Sequence, residues 1–522
     1  MSPWSRRQFL TSTGLAAASV IASRSGLAEA RGLVVEPLLL AVVDAALSTA
    51  RAGGATYADV RIHRRREENV SVRDDHAAGA ADSERYGVGV RVLKDGAWGF
   101  AATARVDAAE VKRVTQTALG IATANASLRA KPIELAPEPA HVDVWQTPMQ
   151  KDPFKIPVAD KLELLLGISN TLRKQKVTSF SSVNLSTRLE WKLFASTDGA
   201  LIEQAITRIG PSYSVTLVKD GDFVSRGWDG QARQAGWEYL AESRFVEDAE
   251  QVAEDAREKL AAAPVEPGRR DLILSPENLW LTIHESVGHP TELDRALGDE
   301  ANFAGTSFAT PDKLKTLQYA SPIVTLYADK TTPGGLATCG YDDDGVRTGR
   351  WNLVEKGRFV GYQTTRDQAA WIGEKASRGC SYAQDHASVP FQRMPNVSLQ
   401  PGDKPLGVKD LIAATDDGVY VLGNGSWSID HQRFNFQFTG QMFYEVKKGK
   451  VSRALRDVGY QSNTLEFWNA CDLIGGEQEF RLGSAFDDGK GEPAQSNPVS
   501  HGCPPTRFKK ISVINTRTKK GA

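Results

Sequence analysis

Phe434-Asn435-Phe436-Gln437-Phe438-Thr439-Gly440-Gln441-Met442-Phe443-Tyr444-Glu445-Val446-Lys447-Lys448-Gly449-Lys450 carries an apolar side chain at every second position from 434 to 446, Gly440 excepted. A period of two is that of a strand with one buried face, and Lys448-Gly449-Lys450 is a turn at its end. Around this stretch the second half of the chain sets short apolar runs between frequent Gly, Asp and Pro, which predicts a curled antiparallel, barrel-like sheet. Toward the N-terminus, residues 241–263 alternate acidic residues with Ala, Val and Leu as an amphipathic helix does, up to Pro264-Val265-Glu266-Pro267-Gly268. That break predicts a boundary between an N-terminal domain over 33–263 and a C-terminal domain over 268–515.

The N-terminal part mixes both periods. Pro37, Leu38, Leu39, Val42, Ala46 and Ala50 ahead of Gly53-Gly54 predict a helix with proline in its first turn. Val60 and Ile62, Val70 and Val72, and Val88, Val90 and Val92 predict strands, with Lys94-Asp95-Gly96 as a hairpin turn before Trp98 and Phe100. Asp107 with Glu110 opens a second helix, and 160–174 a third, before strands over 179–218. Six prolines between 131 and 157 predict a long surface connection without regular structure. The fold class is therefore α+β, a mixed α/β N-terminal domain followed by a β-rich C-terminal domain.

Composition narrows the function. With 522 residues, 41% hydrophobic and 24% charged, the chain is an ordinary globular one, and 63 basic against 64 acidic side chains give no field that favours nucleic acid. The four cysteines, Cys339, Cys380, Cys471 and Cys503, show no C-x-x-C spacing and read as buried thiols. Ser5-Arg6-Arg7-Gln8-Phe9-Leu10, the apolar run Leu15 to Ala22 and Ala28-Glu29-Ala30 resemble a twin-arginine export signal over 1–30, which predicts a periplasmic or otherwise exported protein. No apolar run is long enough to span a bilayer as a helix.

One helix carries the chemistry. Ser275-Pro276-Glu277-Asn278-Leu279-Trp280-Leu281-Thr282-Ile283-His284-Glu285-Ser286-Val287-Gly288-His289-Pro290 has a serine at the cap, proline behind it, and Leu279, Ile283 and Val287 on one buried face. Two neutral imidazoles bind zinc (Zn2+), and a glutamate beside the first can take a proton from a zinc-bound water. The spacing is H-E-x-x-x-H. In a straight α-helix, at about 100° per residue, His284 and His289 point roughly 140° apart. Gly288, tolerant of unusual backbone angles, and Pro290, which disfavours an α conformation at His289, predict a widened or terminated last turn. From these residues alone the stretch reads either as a metal site or as a helix end with two unrelated histidines.

His284-Glu285-Ser286-Val287-Gly288-His289-Pro290-Thr291-Glu292, after the strand Leu272-Ile273-Leu274, resembles the zinc motif of the TldD/PmbA peptidase family, in its motif-bearing TldD-like type. Gly87-Val88-Gly89-Val90-Arg91-Val92, Asp95-Gly96-Ala97-Trp98-Gly99-Phe100, Gly340-Tyr341-Asp342-Asp343-Asp344-Gly345, Arg393-Met394-Pro395-Asn396, Phe467-Trp468-Asn469-Ala470-Cys471 and Ser500-His501-Gly502 extend the resemblance over roughly 33–515. It implies a zinc metallopeptidase that cleaves unfolded or extended peptides and is paired with a related subunit lacking the histidine motif. In it, His284 and His289 hold the metal and Glu285 is the catalytic base. The family's third ligand is a cysteine in a C-G-K-G block, where this chain has Asp488-Gly489-Lys490-Gly491. Asp488 is the expected third ligand, on a C-terminal loop, with His501, Cys503 and Glu292 as rivals. Glu292 is read as a partner behind the ligands and Cys503 as structural.

The runner-up function is a non-catalytic subunit that binds peptides or supports an active partner; an intact Glu285 speaks against it and Asp488 for it. A redox enzyme finds no dinucleotide fingerprint or thiolate cluster.

Overall fold

The computed structural model of the protein describes residues 35–517 apart from 129, 130, 175, 176, 304 and 492, so the export-signal reading of 1–30 lies outside the described residues. Helix α1 (Pro37–Ala52) is followed by β1 (Tyr57–Arg73), β2 (His76–Lys94), β3 (Ala97–Thr103), α2 (Ala108–Ala126), β4 (Val142–Gln146), α3 (Val158–Arg173), β5 (Thr178–Ser196), β6 (Leu201–Lys219), β7 (Asp222–Gly227) and α4 (Ala249–Ala261). Among the described residues the seven strands form one sheet in the order β3-β2-β1-β5-β6-β4, with β7 also on β6. The local signals read correctly: Asp95 and Gly96 take positive φ in the β2–β3 turn, and the Asp107 carboxylate accepts from the Glu110 N–H at 2.8 Å to cap α2.

Two expectations need correction. The proline-rich connection contains β4, which pairs in parallel with β6 between Pro139 and Pro148; proline is tolerated where it only flanks an edge strand. The helix expected over 241–263 starts only at Ala249, because Arg244 adopts a left-handed conformation and the chain turns to bury Phe245 completely.

Both faces of the N-terminal sheet are covered. In β1 the even positions Ala58, Val60 and Ile62 pack against α1 and α2, while Val70, Val72, Val183 and Val215 pack with α3 and α4. The odd positions Asp59, Arg61, His63 and Arg65 are no more than 5% exposed although all are polar. The C-terminal domain covers them.

That domain includes β8 (Gly268–Leu274), α5 (Pro276–Ile283), α6 (Leu293–Leu297), β9 (Asp417–Ile429), β10 (Asn435–Lys447), β11 (Val458–Asn463), a hairpin of β12 (Arg481–Lys490) with β13 (Gln495–Cys503), and β14 (Thr506–Asn515). Strands β9, β8, β14, β11 and β10 pair in that order, and β10 pairs back onto β9, closing the barrel. The barrel-like expectation holds. Leu272, Leu274, Val419, Val421, Phe436, Phe438, Tyr460 and Phe508 fill its core. The alternation in β10 is less clean than its sequence: Phe443 joins that core while Val446 packs with Ile273 and Leu411, so the strand is covered on two sides. The four cysteines are buried and free. No helix among the described residues is long and apolar enough to cross a membrane.

Candidate metal centre

Strand β8 runs directly into α5, and the Ser275 N–H donates to Val421 O of the neighbouring barrel strand at 3.0 Å, fixing where the helix begins. Ser275 occupies the cap position but makes no side-chain cap bond; Pro276 in the first turn and this anchor replace it. The Asn278 side chain donates to Gly423 O and Thr439 O of β9 and β10, and the Thr282 hydroxyl meets the Tyr460 hydroxyl at 2.9 Å. Leu279, Ile283 and Val287 are fully buried, as their spacing predicts. The helix is thereby locked onto the barrel before it reaches His284.

The α-helix then widens. Residues His284–Gly288 form a single π-helical turn, in which the His289 N–H donates to His284 O. A hydrogen bond five residues back places one extra residue in the turn, so the fifth residue, not the fourth, comes round onto the same face. The i,i+5 pair converges, with ring centroids 4.6 Å apart. The expected widened turn is present, but neither reason given for it holds. Gly288 has an ordinary helical backbone, and its lack of a Cβ leaves room for the Met394 side chain, whose Sδ would lie 2.5 Å from one. His289 remains in the right-handed helical region despite Pro290 (φ −62°, ψ −44°). The missing N–H of Pro290 helps end the turn in a short 3-10 segment.

Asp488 arrives from β12, not from a loop. The N-terminal domain holds that strand in place: Arg188 pairs with Asp487 at 2.8 Å and donates to Phe486 O, Arg233 donates to Leu482 O, and the Ala232 N–H donates to Ser484 Oγ. Asp488 Oδ1 lies 3.5 Å from His284 Nε2 and 3.6 Å from His289 Nε2. The three ligand atoms lie within 4.8 Å of one another, all on buried residues.

Each group is oriented from behind. His501 Nδ1 lies 3.0 Å from Val397 O and His501 Nε2 lies 2.7 Å from His284 Nδ1. The consistent proton arrangement is an N–H of His501 donating to the carbonyl and an N–H of His284 donating to His501, which leaves the His284 Nε2 lone pair facing Asp488. On the other side His289 Nδ1 lies 3.0 Å from Glu292 Oε2, which also accepts from Arg295 at 2.9 Å, so His289 Nε2 likewise presents a lone pair. Asp488 Oδ2 accepts from Arg393 at 3.2 Å. Ligand imidazoles whose second nitrogen is held by a partner are the usual way a metal site fixes tautomer and aim. The residues present therefore fit a zinc ion with two imidazoles and one carboxylate.

Charge favours the neutral imidazole at His289 and His501 but the protonated one at His284, whose Nε2 would have to give up that proton to bind a metal. Burial pushes the His289 pKa down to about 4, with the Arg433 guanidinium adding to it, and burial next to His284 keeps His501 well below the ordinary histidine value. For His284 burial also works against charge, but the hydrogen bond and charge of Asp488 outweigh it and raise the pKa. Burial acts to protonate Asp488, yet His289, His284 and Arg393 together hold it ionised. Beneath the site, Lys490 and Arg295 overcome the burial of Glu292 and keep it a carboxylate.

The rivals separate cleanly. His501 stands behind His284, Glu292 behind His289, and Cys503 points its thiol at Pro276 O, 3.7 Å away at the far end of α5. Glu285 is 4% exposed and its Oε2 is paired with Arg433 Nη1. Sequence reasoning missed Arg433 altogether and quoted Arg393 without a role; both come from segments more than a hundred residues downstream, with no spacing relation to the motif.

Comparison with known proteins covers most of the chain. Residues 58–122 match the PmbA/TldA metallopeptidase domain 1, 151–263 the central domain and 267–515 the C-terminal domain. A metalloprotease of Methanothermobacter thermautotrophicus is 29% identical over 460 residues, covering 88% of this chain and 96% of its own. A zinc metalloprotease TldD homolog of Saccharolobus solfataricus is 23% identical over 472 residues, covering 88% and 97%. The crystal structure of TldE from Thermococcus kodakarensis superposes with a TM-score of 0.68 at 18% identity, over 90% of this chain and 98% of that one. With its three segments matched in order, the chain belongs to the PmbA/TldA metallopeptidase family.

Proposed function

We propose that this chain is a zinc-dependent metallopeptidase of the TldD-like type that hydrolyses unfolded or extended peptides. The observation that carries this reading is the convergence of His284 Nε2, His289 Nε2 and the Asp488 carboxylate while Glu292, His501 and Arg393 occupy their other polar atoms. Zinc held there supplies a polarised carbonyl and a more acidic water. Glu285, adjacent to His284, takes the proton of the attacking water and returns it to the leaving amine. An extended substrate bound through its main chain makes little demand on sequence, which accounts for a peptide class in place of one defined peptide. The names of the relatives from M. thermautotrophicus and S. solfataricus support the activity and the metal, and pairing with a related subunit that lacks the histidine motif is proposed from the family resemblance of the motif blocks. Export by the twin-arginine route is proposed from residues 5–30 alone, and Arg6→Lys with Arg7→Lys is expected to leave uncleaved precursor in the cytoplasm.

Asp488 in place of the family's cysteine favours the second reading, a peptide-binding or partner-supporting subunit. One experiment decides between them. Zinc-loaded protein, with and without a coexpressed homologous partner, should hydrolyse a denatured peptide mixture, and Glu285→Gln should keep stoichiometric zinc while turnover falls by about 100-fold or more. Zinc-loaded protein that shows no turnover in either state would overturn the catalytic reading.

A further inference from the structure

The turn between β9 and β10 is built to hold one side chain. The Asp430 carboxylate accepts from the N–H groups of Phe434 and Asn435 at 2.8 and 2.9 Å, and the Arg433 N–H donates to Asp430 O at 2.9 Å. Thr464 Oγ1 donates to Arg433 O at 2.9 Å, and the N–H groups of Thr306 and Phe308 donate to His431 O and Gln432 O. Three segments thus fasten four residues. Within them Arg433 has φ +61°, a left-handed conformation unfavourable for a long side chain and one that persists only where its surroundings impose it.

The strained backbone sends the guanidinium into the metal centre, where Nη1 pairs with Glu285 Oε2. Its side chain is 15% exposed against 6% for Glu285, so it stands on the outer, solvent-side rim of that pair. The other cations of the site lie behind the ligands: Arg393 on Asp488, and Arg295 and Lys490 on Glu292. Arg433 is the cation bound to the base itself. A guanidinium carries its N–H donors in a planar fork, a shape able to hold a carboxylate oxygen and a substrate oxygen together.

Resting on the peptidase reading above, we propose that Arg433 is a further catalytic residue, which orients Glu285 and donates a hydrogen bond to the scissile carbonyl oxygen as that oxygen becomes anionic. In the addition step the water oxygen bonds to the carbonyl carbon, its proton passes to Glu285, and the carbonyl π pair moves onto the oxygen facing Arg433. When that pair returns, the C–N bond breaks and the nitrogen leaves with the proton from Glu285. Donors placed where charge develops act on the transition state more than on the bound substrate.

The test compares Arg433→Gln and Arg433→Lys with the parent, all zinc-loaded, using peptide turnover, zinc affinity against a competing chelator, and binding of a phosphinic peptide, a tetrahedral mimic. Arg433→Gln should lower kcat by about 100- to 1,000-fold, the range for a lost oxyanion donor, with KM and zinc affinity nearly unchanged. The phosphinic peptide should weaken in parallel while its planar amide counterpart binds as before, and Arg433→Lys should recover part of both losses. A loss confined to KM, to zinc or to folding, or equal weakening of the two peptides, overturns the role of Arg433. Selective loss of the phosphinic peptide alongside a parent that hydrolyses nothing would instead sink the peptidase reading and leave this contact standing.

Discussion

Among the described residues, two clusters of buried ionisable side chains stand in contrast. One surrounds the His284 turn; the other lies where the polar face of the N-terminal sheet meets Asp342-Asp343-Asp344. In the second, each carboxylate ends on a donor: Asp344 on Arg91 at 2.6 Å, Asp343 on Lys192 at 2.8 Å and the Ala383 N–H, and Asp342 on the N–H groups of Asp344, Val346 and Ser381. Glu190 is paired with Arg208 and accepts from Tyr382. The first cluster leaves two imidazole lone pairs and a carboxylate oxygen facing one point, while every other polar atom of those groups is engaged. Burial and shifted pKa values occur in both. Convergence of lone pairs occurs in one, and it separates a binding site from a structural joint.

The contrast can be broken most forcefully at the joint. Lys192→Met leaves Asp343 buried beside an apolar group, a change that costs about 3–5 kcal/mol for a broken buried pair. Chemical denaturation should show that loss, while zinc affinity of the folded protein stays at the parental value; a parallel loss of zinc would mean the two clusters are one unit.

Asp488→Ala should do the reverse, weakening zinc by more than about 100-fold, since losing a ligand costs more than losing a partner behind one. Asp488→Cys should match or exceed the parent, thiolate being the softer ligand. Chelator competition measures both, and unchanged affinity in Asp488→Ala would remove it as a ligand.

A smaller effect is expected behind the ligands. His501→Phe takes away the acceptor that fixes the His284 tautomer and should weaken zinc by about 10- to 100-fold, whereas His501→Gln, which keeps an acceptor oxygen, should recover part of it. Equal affinity in all three proteins would reduce His501 to packing against Trp280, on which its ring lies parallel.

A further prediction concerns pH. Burial, with the Asp344 charge beside it, pushes the Asp342 pKa up to about 7. The folded state therefore binds a proton that the unfolded state has lost, and this residue makes stability fall as pH rises from about 4 to 7. Buried histidines such as His289 and His501 act in the opposite sense, but equally in parent and variant. The stability of Asp342→Asn relative to parent should therefore rise across that window; a flat difference would place the proton elsewhere.

Local signals were legible wherever a few neighbouring residues settle the matter. Val60 and Ile62 announced a strand, Asp107 with Glu110 a capped helix, and Leu279, Ile283 and Val287 the buried face of α5. The same alternation does not tell the fate of the other face, where Asp59, Arg61, His63 and Arg65 are polar yet covered by a second domain. For the metal centre, His284, Glu285 and His289 were visible as a motif, and the need for a widened turn followed from 100° per residue.

The sequence by itself determined most element types, the two-part architecture and the two histidines with their glutamate, because these depend on periodicity and short-range spacing. Only the tertiary structure decided the π-helical turn, which accommodates Met394 against Gly288, and the arrival of Asp488 on a strand held by Arg188 and Arg233. It also decided the places of His501, Arg393 and Arg433 around the ligands. Those contacts join residues roughly 100 to 300 positions apart. No local pattern encodes such an approach, and only the folding of the barrel and its packing on the N-terminal sheet supply it.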